Sequence, residues 1–298
     1  AAGSQEVGMD ICFSTSVGGE SWDLKSCARW AQENDFDAVR LHVDGIAGFA
    51  RGEVLEPLAD EGIYLAALTA HNNLLSDDES EREAASSRLM AAIETASGLD
   101  VPVVITHAGS PVGYQFYGMY SQPPGNPGDR SVELVARFKE MFEPVVRLAE
   151  KAQVKIALDG AVRMGNIACN PEMWERVLEA VPSNHLGLSC DPSHWVWMGM
   201  VPAEDVIRAF PGKWFYADIK DCEVSPQMLF RQGVIGNWWW QYRVPGRGQL
   251  NWGTVIGALV ESGYDYVLCV ENEDRGAPGL EGFAIGCRHL RPLLTRQD

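Results

Sequence analysis

The feature that most constrains this chain is an alternation. Eight short apolar segments run from end to end, each followed by a longer amphipathic one. The apolar segments are "EVGMDICF", "DAVRLHV", "IYLAALTAH", "VPVVITHAG", "VKIALDG", "HLGLSCD", "KWFYADI" and "DYVLCVE". Nearly continuous apolar runs of this length, bounded by Gly, Asp and Pro, read as strands buried on both faces. Between them, segments such as "SWDLKSCARWAQENDF", "DDESEREAASSRLMAAIETASG" and "SVELVARFKEMFEPVVRLAEKA" carry helical periodicity. Ser21 is a candidate cap for the first helix, Gly62 a stop for the second, and Pro171 a first-turn proline further on. About eight strand-then-helix units without a composition break argue for an α/β fold, a (β/α)8 barrel. It would span 1–298 as a single domain, with residues 1–5, "AAGSQ", a disordered or extraneous lead-in. A doubly wound open sheet is the alternative. No G-x-G-x-x-G follows the first strand, which speaks against its dinucleotide-binding version.

Composition narrows the function. The formal net charge of −17 repels nucleic acid and anionic membranes. No apolar run approaches the ~20 residues of a membrane span, and "AAGSQEVGMD" has neither a basic n-region nor an apolar h-region. The seven cysteines are odd in number, scattered and without a C-x-x-C, as expected of free thiols in a reducing cytoplasm.

In a (β/α)8 barrel, chemistry sits at the C-terminal ends of the strands. Here those ends carry His42, His71, His107, Asp159, Asp191, Asp218 and Glu271, and His194 follows Asp191 in "DPSH". Taken singly, a strand-end Asp is more often a helix cap or turn former, and a lone His a satisfied structural residue. Four acids and four histidines at successive strand ends point instead to a functional site at one barrel mouth. The stretch "WFYADIKD", 214–221, poses the sharpest question. Alternation puts Tyr216, Asp218 and Lys220 on one face of a core strand, and buried charges need partners or a purpose.

The segments "GLSCDPSHWVW", "WFYADIKDCEV", "WWWQYRVPGRGQLNW" and "GYDYVLCVENED" resemble the sugar phosphate isomerase/epimerase family of xylose isomerase-like TIM barrels. The likeness runs over most of the chain and is most specific from about 155 to 275. The resemblance implies a divalent metal, often Mn²⁺, held by Glu, Asp, His and Glu at the ends of strands five to eight. Mapped here, those positions are Asp159, Asp191, Asp218 and Glu271. Asp159 replaces the family's Glu, and Asp218 replaces its His in an H-x-K-D pattern. Two outcomes are open. An oxygen-only site suits hard ions such as Mn²⁺ or Mg²⁺ better than Zn²⁺. Alternatively the shortened ligands fail to close on an ion, and Lys220 with the histidines supplies the counter-charge.

Members of the family isomerise or epimerise sugars and polyols, and some cleave 3-oxo-glycosides, by removing a proton next to a carbonyl. The resemblance therefore implies a divalent-metal-dependent isomerase, epimerase or lyase acting on a small sugar-like molecule. The two glutamates that form the acid–base pair of ketose epimerases are missing: one position reads Asp159, the other falls near Gly165 or Asn166. His194 and His107 are the remaining candidate bases, with Lys220 as electrophile or acid. His42 and His71 are candidate substrate contacts. In "GNWWWQYRVPGRGQ", Trp239 could stack on a sugar ring while Arg243 or Arg247 binds an anionic group. The insertion "GYQFYGMYSQPPGNPG" is a candidate second lid. The competing reading is a metal-free, catalytically retired barrel that binds sugar or acts as a non-catalytic subunit. An apurinic endonuclease relative is opposed by the charge. Homo- and hetero-oligomers both stay open.

Overall fold

The structure, a computed structural model, describes residues 8–15, 22–111, 131–160, 166–234 and 236–294. In chain order its strands are β1 (Asp10–Thr15), β2 (Ala38–His42), β3 (Tyr64–Thr69), β4 (Val103–Thr106), β5 (Lys155–Leu158), β6 (Leu186–Cys190), β7 (Trp214–Ile219), β8 (Asp221–Val224), β9 (Trp240–Arg243) and β10 (Val267–Val270). The helices are α1 (Leu24–Glu33), α2 (Arg51–Ala59), α3 (Glu79–Gly98), α4 (Ser131–Ala152), α5 (Pro171–Ala180), α6 (Pro192–Met198), α7 (Ala203–Arg208), α8 (Pro226–Gln232), α9 (Trp252–Glu261) and α10 (Leu280–Leu294). The eight strands expected from the alternation form a closed barrel in the order β1-β10-β7-β6-β5-β4-β3-β2. Helices flank it, as the (β/α)8 reading requires. The chain divides into two compact units, one from Ala1–Arg40, Glu53–Leu65 and Cys190–Asp298, the other from Leu41–Gly52 and Ala66–Ser189.

Local chemistry sets the element ends. The Asp23 carboxylate accepts from the Ser26 N–H at 2.7 Å and caps α1, while Ser21 lies outside the described residues. Asp78, Asn170 and Asn251 cap α3, α5 and α9 in the same way, with Pro171 in the first turn of α5. The segments "AAGSQ" and "GYQFYGMYSQPPGNPG" also fall outside the described residues. All seven cysteines are free and buried, as the sequence implied. Among the described residues, no helix is long and apolar enough to cross a membrane.

Four elements escape the strand–helix rhythm. α6 follows β6 directly, because Asp191 caps it and Pro192 is pre-shaped for a first turn. β8 and β9 pair antiparallel outside the barrel, with Asp221 opposite Arg243 and Cys222 opposite Tyr242. α8 lies between them and buries none of its residues. Four-residue strands separated by a helix leave little periodic signal to read.

Asp221 holds this addition in place. Its fully buried carboxylate accepts from the N–H groups of Cys222 at 2.8 Å, Leu250 at 3.1 Å, Gly246 at 3.2 Å and Gly248 at 3.1 Å, and from the Trp252 indole at 3.1 Å. The backbone can come this close because residue 248 is glycine: a Cβ there would sit 2.1 Å from Asp221 Oδ1. Five donors satisfying one buried anion make it a structural anchor. Asp221→Ala would strand all five, so it should lower stability by about 3 kcal/mol or more. Urea denaturation with matched m-values checks this, and a loss below about 1 kcal/mol would contradict the anchor role.

Candidate functional site

Parallel register decides which strand-end residues become neighbours. In the first unit, Cys269 pairs with Asp218 and Val270 with Ile219. The ladder continues one step, the Glu271 N–H donating to the Ile219 carbonyl at 3.1 Å, so Glu271 arrives beside Lys220. Lys220 Nζ contacts Glu271 at 2.8 Å, Glu273 at 2.9 Å and Asp191 at 3.2 Å. Arg40, from β2, completes the arrangement. Its guanidinium donates through one terminal nitrogen to Asp218 and through the other to Glu271. Its Nε donates to Ser14 Oγ at 3.2 Å, and its charge lies 5.4 Å from the Tyr216 ring centre. Asp218, Lys220 and Asp221, the three charges of "WFYADIKD", thus each have a specific partner set.

Both cations are permanent. Burial would lower the Arg40 and Lys220 values, but the surrounding carboxylates, Asp218 for Arg40 and Asp191 for Lys220 foremost, raise both well above normal. The acids respond in kind. Burial would raise Asp191, yet His194 and Lys220 bring it down to about 2. Burial likewise works against Glu271, and Lys220 and Arg40 hold it below its usual value. Asp191, Asp218 and Glu271, expected as metal ligands, therefore already balance fixed protein cations.

The second unit holds a different cluster. Thr69 pairs with Ile105 and Thr106 with Leu158, which puts His71 level with His107 and His107 level with Asp159 just past the strand ends. The His71 and His107 rings stack at 3.9 Å. Their Nε2 atoms lie 3.4 and 3.2 Å from Asp159 Oδ2. Burial would raise the Asp159 carboxyl, but hydrogen bonds from His107 and His71 outweigh it and hold it well below the normal range. One ligand atom from each of the three lies within 4.8 Å of the others. Two imidazoles and one carboxylate form a donor set that suits a borderline divalent ion. Asn166 braces the cluster: its amide donates to the Asp159 carbonyl, and its Oδ1 accepts from Gly109 N–H at 3.3 Å.

His42 and His71 also line a cavity of about 550 Å³, together with Asp44, Thr69, Asn72 and Arg88. The Thr69 hydroxyl is buried and has no hydrogen-bond partner among the described residues. A buried, unsatisfied hydroxyl costs free energy unless something else satisfies it. Arg88 Nε donates to Asn72 Oδ1 at 3.0 Å.

The remaining expected residues are differently employed. His194 has both ring nitrogens engaged, Nε2 at 3.0 Å from Asp191 and Nδ1 at 2.8 Å from Tyr242 Oη, which leaves neither facing a substrate as a base. Trp239 is buried, and its indole donates to the Val234 carbonyl at 3.0 Å. Trp238 is the exposed member of the run, with Arg275 4.4 Å from its ring. Arg243 is tied to Glu223 at 2.6 Å and Asp274 at 3.0 Å, so it braces the β8–β9 addition. Arg247 is exposed. Arg40, Thr69 and Tyr242 were not anticipated. Arg40 left the clearest trace, as the single charge inside the buried strand "AVRLH".

The depressed acids set a pH dependence. Asp191 and Glu271 have folded values below their ordinary 3.8 and 4.5, so their contribution is present above those values and lost as pH falls toward about 2. Lys220 has the opposite sign, being raised: its contribution is complete below its ordinary 10.5 and is lost as pH rises from there through its folded value. Unfolding free energy should fall as pH drops from about 4.5 to 2, with a shallower acid limb in Asp191→Asn. Urea titrations across that range check it, and an identical acid limb in the variant would contradict it.

Comparison with known proteins extends this picture. No curated protein sequence matches the chain. Among solved structures it is similar to an L-ribulose 3-epimerase, with 17% identity, 96% of this chain and 93% of that one covered, and a TM-score of 0.71. It is similar to mannonate dehydratase from Streptococcus suis serotype 2, with 13% identity, 96% and 94% covered, and a TM-score of 0.68. It is also similar to the IOLI protein solved with a binding zinc atom, with 19% identity, 96% of each chain covered, and a TM-score of 0.69. At these identities the likeness shows the fold alone. The family model for the xylose isomerase-like TIM barrel matches residues 28–293, nearly the whole chain. With the closed parallel barrel and the strand-end motifs, that match makes the chain a member of the xylose isomerase-like TIM barrel family, the group to which the sugar phosphate isomerases and epimerases belong.

Proposed function

We propose that the protein is an isomerase, epimerase or lyase that removes a proton next to a carbonyl of a sugar-like substrate, a polyol-derived ketone or a 3-oxo-glycoside. A divalent cation would be held by His71, His107 and Asp159. The observation that carries this reading is the coincidence of a two-histidine, one-carboxylate donor set with a cavity that shares His71 and presents the Thr69 hydroxyl, which has no partner among the described residues. A bound cation there supplies polarisation of the substrate carbonyl. The chain's own groups do the rest. The Thr69 hydroxyl donates to or accepts from substrate hydroxyls, the Asp44 carboxylate accepts from them, and Arg88 offers positive charge to an oxygen of the substrate. His42 lines the cavity edge-on to His71, ring centres 6.3 Å apart, and is the imidazole assigned here as proton acceptor. This moves His107 from base to ligand and His42 from substrate contact to base. The epimerase and dehydratase names of similar structures support the reaction class, and the zinc-bearing IOLI structure supports a divalent ion.

A second reading, the metal-free retired barrel, is favoured by one observation: Arg40 and Lys220 already neutralise Asp191, Asp218 and Glu271. Solvent exchange separates the two. Incubation with a panel of ketoses and 3-oxo-glycosides in deuterated water, followed by NMR, should show deuterium entering next to the carbonyl of at least one compound. His42→Ala should slow that exchange by about 100-fold or more, and Asp159→Asn should abolish it together with bound metal. Sugar binding without exchange across the panel would establish the retired barrel instead.

A further inference from the structure

We infer that the Arg40 guanidinium is the resident cation of Asp218 and Glu271, and that this chain has closed those carboxylates to divalent metal. The donor set does not fit a metal there. Arg40 gives one terminal nitrogen to Asp218 Oδ1 and the other to Glu271 Oε1. The second oxygen of Glu271 takes Lys220 at 2.8 Å. On Asp191, Oδ2 takes His194 at 3.0 Å and Lys220 at 3.2 Å, and Oδ1 takes the Ser193 N–H at 3.1 Å. A divalent ion needs carboxylate lone pairs pointing at it from roughly 2.0–2.6 Å, and it would have to sit against a guanidinium and an ammonium.

Arg40 is built in rather than passing through. It arises within β2, its side chain is 4% exposed, Ser14 receives its Nε at 3.2 Å, and the Tyr216 ring lies beneath it. A planar fork is well shaped to bridge two carboxylates held at fixed positions, which a lysine is not. The substitution pattern follows from this. Where the family resemblance implies His at 218, an imidazole would offer the guanidinium no negative charge. A carboxylate offers a full one, so Arg40 and Asp218 make chemical sense as a pair. The buried cation accounts for the D-x-K-D form of "DIKD".

This inference stands apart from the reaction proposed above, and its test reads metal rather than turnover. Calorimetric titration with Mn²⁺ should give the same wild-type affinity, within about twofold, after Asp218→Asn. Arg40→Gln should gain a Mn²⁺ site that survives His71→Ala and disappears when Asp218→Asn is added. A tenfold or greater loss of wild-type Mn²⁺ affinity in Asp218→Asn would overturn the inference, as would a folded Arg40→Gln that gains no site. Because either variant could fail to fold, wild-type crystals soaked in Mn²⁺ provide an independent reading by anomalous scattering. A peak between Asp218 and Glu271 refutes the inference, and an intact Arg40 bridge with no peak there sustains it. Wild-type protein that binds no Mn²⁺ at all would support this inference while counting against the metal of the proposed reaction.

Discussion

Parallel hydrogen-bond register is the constraint on which the rest depends. In a parallel ladder each strand is fixed against its neighbour at a definite level, and a slip of one residue would turn every side chain to the other face. The pairings Val270 with Ile219 and Thr106 with Leu158 bring Glu271 to Lys220 and His107 to Asp159 without any further adjustment. Both clusters are therefore consequences of strand pairing. The residues just past the last ladder bond are the first that can serve chemistry rather than the core.

The charged cluster is costly, which says something about its purpose. Moving each ion out of water costs several kcal/mol, and the attraction between partners returns that only where hydrogen bonding is complete. A close unit-charge pair at an effective dielectric near 20 recovers about 4 kcal/mol. Arg40 and Lys220, shared among Asp218, Glu271, Asp191 and Glu273, come near that balance and do not add large net stability. What they give is a single arrangement, since losing either cation would leave buried carboxylates facing one another. Tyr242 extends the same logic outward by holding His194, which in turn holds Asp191.

Much of this was legible in the residues. Apolar runs bounded by turn formers mark all eight barrel strands, and strand-end positions single out Asp159, Asp191, Asp218 and Glu271. What the pattern could not supply was pairing. Nothing local links Arg40 to Asp218, which are 178 residues apart, and only the barrel order makes them neighbours. The aromatic stretch around Trp239 invited a sugar-stacking role because aromatic faces suit both ligands and cores. Trp239 and Trp240 are buried, with Trp240 stacked on Trp197 at 4.7 Å, so these two indoles pack inside the fold while Trp238 stays exposed. Arg243 looked available for an anion because its acidic partners, Glu223 and Asp274, lie far away in sequence.

The proposed cation site is the set of His71, His107 and Asp159, while Arg40 and Lys220 occupy the carboxylates of Asp191, Asp218 and Glu271. X-ray absorption at the metal edge of zinc-loaded protein tests it most directly, because imidazole rings give outer-shell scattering that carboxylates do not. The expected spectrum shows two imidazoles bound to the zinc, with one of them lost in His71→Ala. A first shell made only of oxygen, unchanged by that substitution, would contradict it.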